Sequence, residues 1–236
     1  MAVPVVIPSP GRRIAALAVF CVLSLVSACG STPTRGTTAY TVKRGDTLYS
    51  IAWRHGLDYR QVARWNGIGR DYLIHPGQVL YLVPSSRADR QARRPPSSPQ
   101  SATPAAAIPA AAAVNWSWPA DQVQVQSTTR PNSSQGLTMA GQLGQTIRAA
   151  AAGSVVYVGS GLLGYGQLVI IKHNETFLSA YGHTEAVLIR EGEGVAAGQS
   201  IATMGEGPGQ RPMLYFEIRV NGQPVDPLRF LPALTR

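Results

Sequence analysis

The spacing of apolar residues divides the chain into stretches of different period. Residues 14–26 form an apolar stretch with Ser24 as its one polar residue. After a polar gap, Tyr40-Thr41-Val42 alternates as a short strand does, and Lys43-Arg44-Gly45-Asp46 turns the chain. Leu48, Ile51, Ala52 and His55 follow helical spacing, with Asp46 as the expected N-cap and Gly56 as the stop. Asp58, with Gln61 three residues on, opens a second short helix that carries Val62 and Trp65 inward and ends at Gly67. Pro76-Gly77 turns again, and residues 79–83 return as a strand, completing a βααβ unit. Residues 95–114 offer few apolar side chains other than alanine, and Pro104 and Pro109 interrupt the alanine runs, so this segment cannot fold alone. It reads as an extended, semi-rigid tether whose task is reach, letting the last domain work away from where the first one grips. Beyond it come strand-like runs at 146–151, 154–159, 166–172, 177–183, 186–189, 199–204 and 213–220, closed by the hairpin signal Asn221-Gly222. With almost no helical stretch among them, these predict a mainly antiparallel β domain.

Charge sharpens this division. The chain of 236 residues has a formal charge of +9, all of it on the N-terminal side: from Trp116 onward eight basic residues face eight acidic ones. No clustered basic face of the nucleic-acid-binding kind is present, and nucleic acid is not an expected partner. A positive leader, small unit and tether fit an acidic polymer or a membrane surface close by.

The first segment is a leader. Arg12-Arg13 precede the apolar run, which has the length of a signal sequence core and is short for a bilayer span. Val26-Ser27-Ala28-Cys29 resembles the bacterial lipobox, which implies cleavage after residue 28 and a lipid on Cys29. A buried cysteine after a short membrane anchor is the alternative. Acyl chains on Cys29 would hold the protein to a membrane, each buried CH₂ contributing about 0.8 kcal/mol. Gly30 follows the cysteine where an Asp would mark inner-membrane retention, so the resemblance implies the periplasmic face of the outer membrane. Cys21 is lost with the leader, which leaves Cys29 no disulfide partner. The expected organisation is a signal peptide over 1–28, a lipidated N-terminal tether over 29–39, the βααβ module over 40–84, the Pro/Ala-rich linker over 85–115 and the large domain over 116–236.

The small unit closely resembles the LysM module. The residues that carry the likeness are Tyr40, Val42, Gly45, Asp46, Thr47, Leu48, Ile51, Ala52, Asn66, Gly77, Gln78 and Leu80. The resemblance implies binding to glycan strands of peptidoglycan, which contain N-acetylglucosamine, in a shallow groove between two loops. The first is Gly45, Asp46, Thr47 and Leu48; the second runs from Ile68 through Tyr72, Leu73 and Ile74. Backbone amides and carbonyls there would bond acetamido groups, with Leu48, Tyr72 and Ile74 as apolar surface. Leu48 and Ile74 read equally well as core.

The large unit resembles the LytM fold of lysostaphin-like endopeptidases, of the duplicated-hybrid-motif type. The likeness rests on Gly136, the Tyr181-Gly182-His183 turn, Phe216-Glu217-Ile218, Gly153, Gly164-Tyr165-Gly166 and the Asn221 to Leu228 ending. In active members a His and an Asp stand two residues on either side of that first Gly, and a His-x-His pair precedes Phe-Glu-Ile. Those four positions here hold Ser134, Thr138, Met213 and Tyr215. A catalytic zinc needs about three His, Asp, Glu or Cys ligands and one open position. Hydroxyls that do not ionise near neutral pH and a phenol titrating near pH ~10 do not supply them. Of the family's catalytic positions only His183 keeps its residue, and without a metal-bound water it has no nucleophile to activate. No catalytic residue, metal or cofactor is therefore expected. His173 reads as a turn residue, Glu217 as a structural strand carboxylate, and Lys172 and Arg219 as solvated charges or partner contacts.

Lipobox, LysM, tether and ligand-poor LytM together resemble the NlpD-type murein hydrolase activators. That resemblance implies a non-enzymatic role: the groove docks a periplasmic N-acetylmuramoyl-L-alanine amidase and relieves a block on the amidase's own zinc site during daughter-cell separation. The expected groove residues are Ser134, Thr138, Tyr181, His183, Met213 and Tyr215. Two other readings stand beside it: a lipid-tethered staple joining membrane to wall, and an active zinc endopeptidase.

Overall fold

A computed structural model describes residues 39–83, 114–122, 124–127 and 135–233. The leader, the lipidation candidate Cys29, the body of the linker and Ser134 lie outside the described residues. In the small module β1 (Ala39–Thr41) pairs antiparallel with β2 (Val79–Tyr81), Tyr40 opposite Leu80. Between them lie α1 (Leu48–Arg54) and α2 (Tyr59–Asn66). Helix α1 is capped by Thr47, one residue later than the sequence predicts. Its hydroxyl accepts from Ser50 N–H at 3.1 Å while Ser50 Oγ accepts from Thr47 N–H at 3.0 Å, a reciprocal capping box. Asp46 is unavailable for that role because its carboxylate takes the Tyr40 hydroxyl at 2.7 Å, Lys43 N–H at 2.9 Å and the Arg54 guanidinium at 3.3 Å. The second helix has the expected ends: Asp58 accepts from Arg60 N–H, and Gly67 closes it at φ 64°.

The large domain contains β3 (Gln124–Ser127), β4 (Gly136–Ala140), β5 (Thr146–Arg148), β6 (Gly153–Gly159), β7 (Gln167–Lys172), β8 (Phe177–Val187), β9 (Gly194–Val195), β10 (Ser200–Met204), β11 (Met213–Val220) and β12 (Gln223–Val225). They form one antiparallel sheet in the order β3-β4-β11-β8-β7-β6-β9, with β10 joining β5 to β8 and β12 on β11. The two runs expected at 177–183 and 186–189 are one strand, because β8 pairs with β11 and β7 along its first part and with β10 along its last. Strands β3 and β4 are not foreseen by the alternation of the sequence. The β11–β12 hairpin turns at Asn221 and Gly222 with φ 50° and 79°, the positive pair that a two-residue turn requires.

The central strands are buried on both sides. Val169, Ile171, Phe177, Tyr181, Leu214, Phe216 and Ile218 pack in one core, closed by the β5–β10 pair and by Trp116 and Trp118. Their neighbours Leu168, Ile170, Leu178, Ala180 and Tyr215 face the other way and join Trp53, Tyr59 and the rest of the small module in a second core. The tether is expected to keep the two units apart; instead the small module is seated on the sheet. An uncovered face would expose these five side chains together, and removing each large apolar side chain from water stabilises by about 1.5–3 kcal/mol.

Polar contacts fix the seat. Arg60 donates to the Asn221 side chain at 2.7 Å and Gln223 to the Gly56 carbonyl at 3.0 Å. Tyr59 and Tyr72 donate to Glu175 at 3.0 and 3.3 Å. Gly222 admits the small module's backbone: a Cβ there would stand 2.5 Å from the Leu57 carbonyl oxygen. Only a residue without a side chain allows that approach.

Candidate functional site

Strand β11 organises the site. Tyr215 lies opposite Thr138 on one side and Gly182 on the other, and Met213 lies opposite Ala140. The fold thus gathers Thr138, His183, Met213 and Tyr215, as the LytM resemblance implies. Tyr181 is not among them. It is fully buried in the opposite core, accepting from Ala150 N–H at 2.8 Å with its oxygen 3.0 Å from Ser179 Oγ. Burial pushes its phenol up to about 12. As folded it offers no surface to a partner, which corrects its place in the groove.

Tyr215 is also buried, at 1% exposure, and its position decides the chemistry. Its ring lies across Gly136, where an added Cβ would fall 2.3 Å from the phenolic oxygen. The hydroxyl donates to Glu217 Oε2 at 2.8 Å, and Tyr165 donates to the same oxygen at 3.2 Å. Arg219 Nε donates to Glu217 Oε1 at 2.6 Å. The guanidinium also bonds the Trp53 carbonyl at 2.9 Å and stacks on that indole, 3.6 Å from the ring centroid. Glu217 and Arg219 are 0% and 5% exposed, so Arg219 is neither the solvated charge nor the free partner contact that the sequence suggests. The period-2 series Tyr215, Glu217, Arg219 carried the signal: two charges on a strand face that also bears a large aromatic.

Loops close the upper end. His183 has φ 59°, an uncommon conformation for a residue with a side chain, held because its N–H bonds the Tyr165 carbonyl at 2.7 Å and its carbonyl accepts from Gly205 at 2.9 Å. The loop at 205–211 folds back on itself, Gly207 N–H to Arg211 carbonyl at 2.9 Å, and Gly207 sits on Met213, whose sulfur would be 2.0 Å from an added Cβ. Met213 is therefore half-covered, and Thr138 is half-buried beside it.

This donor set does not fit the zinc that the LytM resemblance would imply. A hydroxyl at Thr138, a thioether at Met213 and a phenol committed to Glu217 leave His183 as the one strong ligand. Among the described residues no three His, Cys, Asp or Glu side chains stand together.

The expected glycan loops are only partly at the surface. Leu48 is 0% exposed and belongs to the core, so it cannot be apolar lining for a sugar. Ile68 and Ile74 are half-buried against that core, while Gly45 is exposed and Leu73 is 61% exposed. Asp46 and Thr47 hold the turn and the helix cap. Tyr72 is half-buried with its hydroxyl on Glu175, and burial together with that carboxylate pushes its phenol up. Lys172, bonded to Glu175, holds the carboxyl below its ordinary range.

The residues match two known domains: the LysM domain over 40–83 and Peptidase family M23 over 132–227. The chain is 40% identical to a "Lipoprotein NlpD/LppB homolog" of Pseudomonas aeruginosa, the match covering 89% of each chain. The chain belongs to the NlpD/LppB family of lipoproteins. Another member, "Uncharacterized lipoprotein YgeR" of Escherichia coli, is 39% identical over 87% of this chain and 86% of that one. The "Murein hydrolase activator NlpD" of the same organism is 33% identical over 82% of this chain and 67% of its own length. Among solved structures, a putative peptidase M23 from Pseudomonas aeruginosa superposes with a TM-score of 0.46 at 26% identity, covering 52% of this chain and 53% of the other. This NlpD/LppB member thus combines a LysM module with an M23-type domain whose β11 ends in a closed cluster of two phenols, a carboxylate and a guanidinium.

Proposed function

We propose that the protein activates a murein hydrolase and cleaves nothing itself. The observation that carries this reading is Tyr215, which lies over Gly136 and binds Glu217 where a metal ligand would be needed. The name of the Escherichia coli relative, a murein hydrolase activator, supports the same reading. In it, Cys29 carries the lipid that holds the chain to the periplasmic face of the outer membrane, and the LysM module grips glycan strands. The large domain engages a periplasmic N-acetylmuramoyl-L-alanine amidase and promotes septal wall hydrolysis. With Tyr181 and Tyr215 withdrawn into the interior, the partner surface is what remains accessible beside Tyr215: Thr138, Met213 and the loop at 205–211.

Dye release from labelled sacculi tests this. The protein alone is expected to release nothing, and addition of a cognate amidase to give release well above that of the amidase by itself. Release by the protein alone, or no stimulation of any amidase of the host, refutes it.

A further inference from the structure

Where the small module meets the sheet, a cleft of about 750 Å³ remains open. One wall comes from Lys43 and Arg44 in the turn before α1 and Arg54 at the end of that helix, and the other from residues 161–165 of the large domain, with Leu163 and Tyr165. Trp53 also lines it, and its indole N–H is buried without an acceptor among the described residues. The fixed charges in the cleft are already balanced, Arg54 against Asp46 and Arg219 against Glu217. Lys43 and Arg44 are not: both are exposed, and neither side chain makes a hydrogen bond or ion pair among the described residues. The cleft therefore has a net positive mouth, an aromatic interior and an exposed leucine on its rim.

From these features we infer that the seam is a composite binding site for a carboxylate-bearing glycopeptide: a glycan strand that still carries its stem peptides. The sugar meets the first LysM loop, and the stem runs from it into the cleft, its carboxylates toward Lys43 and Arg44 and its apolar parts along Leu163 and Tyr165. This rests on the glycan-binding reading above and goes further, because it makes the large domain the second wall of the site. It also sets the order of events. The chain holds strands that still contain amide bonds to cut, and it lets go of strands from which the peptides have been removed.

The test is binding of the full mature chain to two ligands of equal length, peptide-bearing strands and the same strands stripped by an amidase. The intact strands are expected to bind about tenfold more tightly, the scale of one charge-assisted contact. The preference should fall below about twofold in Lys43→Ala/Arg44→Ala. It should fall likewise in Gly222→Ala, where the new Cβ pushes the Leu57 backbone away and opens the seam. Gly192→Ala, at φ 84° with nothing within 4 Å, carries the same backbone strain without touching the seam and should keep the preference. Equal binding of both strands by the wild type overturns the composite site and leaves the glycan reading intact; binding of neither overturns both. Capture of phosphatidylglycerol vesicles through Lys43 and Arg44, with no strand preference, would assign the basic mouth to a membrane and also overturn the proposal.

Discussion

Replacing Arg219 by methionine should be the most damaging single change at the seam. The substitution keeps most of the side-chain volume and removes the charge. Glu217, 0% exposed, would then keep two phenolic donors and lose its counter-ion. Stranding one member of a buried pair costs about 3–5 kcal/mol. Loss of the guanidinium from the Trp53 face adds about 1 kcal/mol. Glu217→Leu should cost a similar amount by stranding the arginine. The double variant, Glu217→Leu with Arg219→Met, restores neutrality and should cost far less than the two single costs combined, since apolar replacement of a buried ion pair is often close to neutral. The remaining penalty is the loss of the two phenolic hydrogen bonds to Glu217, about 1 kcal/mol each. Urea unfolding of all four proteins gives the coupling energy directly. A coupling above about 2 kcal/mol is expected. If the single costs simply add, or if Arg219→Met costs less than about 1 kcal/mol, Glu217 is not held by this arginine and the closed cluster is misread.

His173 should make stability fall with acid. Its ring is wedged beside Trp116 between the Ala152 carbonyl at 2.8 Å and Ser179 Oγ at 2.7 Å, and desolvation lowers its pKa from 6.5 to about 4. The unfolded chain binds the proton first, so stability is complete above about pH 6.5 and is lost as pH falls toward 4, by about 2 kcal/mol at pH 5. His173→Asn should flatten that slope in a urea titration repeated across pH 4–7. Gly136→Ala would drive a Cβ into Tyr215 and should lower stability by about 1–3 kcal/mol, with no loss of glycan binding by pull-down. Chelation with EDTA should leave the thermal midpoint of the protein alone unchanged; a drop would point to a bound cation.

Local chemistry in the sequence located the small module well. A βααβ unit of short period needs only nearest-neighbour signals, and Asp58 and Gly67 mark α2 because caps act within one turn. The misassigned cap of α1 has an equally local cause. Asp46 is bound from three directions, by Tyr40 of β1, Lys43 of its own turn and Arg54 of α1, and that leaves Thr47 to start the helix. Tyr181 departs from the expected groove for a less local reason. Strict alternation puts residues 181 and 183 on the same face, and the left-handed backbone at His183 breaks that alternation. Nothing in the sequence Tyr-Gly-His announces which of its residues carries the positive φ.

The seam was hidden because its contacts join residues that are far apart in sequence. Arg219 meets Trp53 across 166 positions, and no periodicity records such a pairing. A trace of it is nevertheless present. Leu168-Val169-Ile170-Ile171 is an unbroken apolar run inside an antiparallel sheet, where one solvated face would give alternation. Such a run demands cover on both sides, and after the β5–β10 pair has closed one side, the small module is what closes the other. The same requirement accounts for Glu217. A carboxylate taken fully out of water must be balanced, and a LytM-like site would let a cation and its ligands set the local charge. Here the balance comes from Arg219 and two phenols, and Arg219 in turn is fixed by the small module's Trp53. The residues that bury Glu217 beside Tyr215 and the residues that hold the two modules together are thus one connected set, so neither could be read without the other.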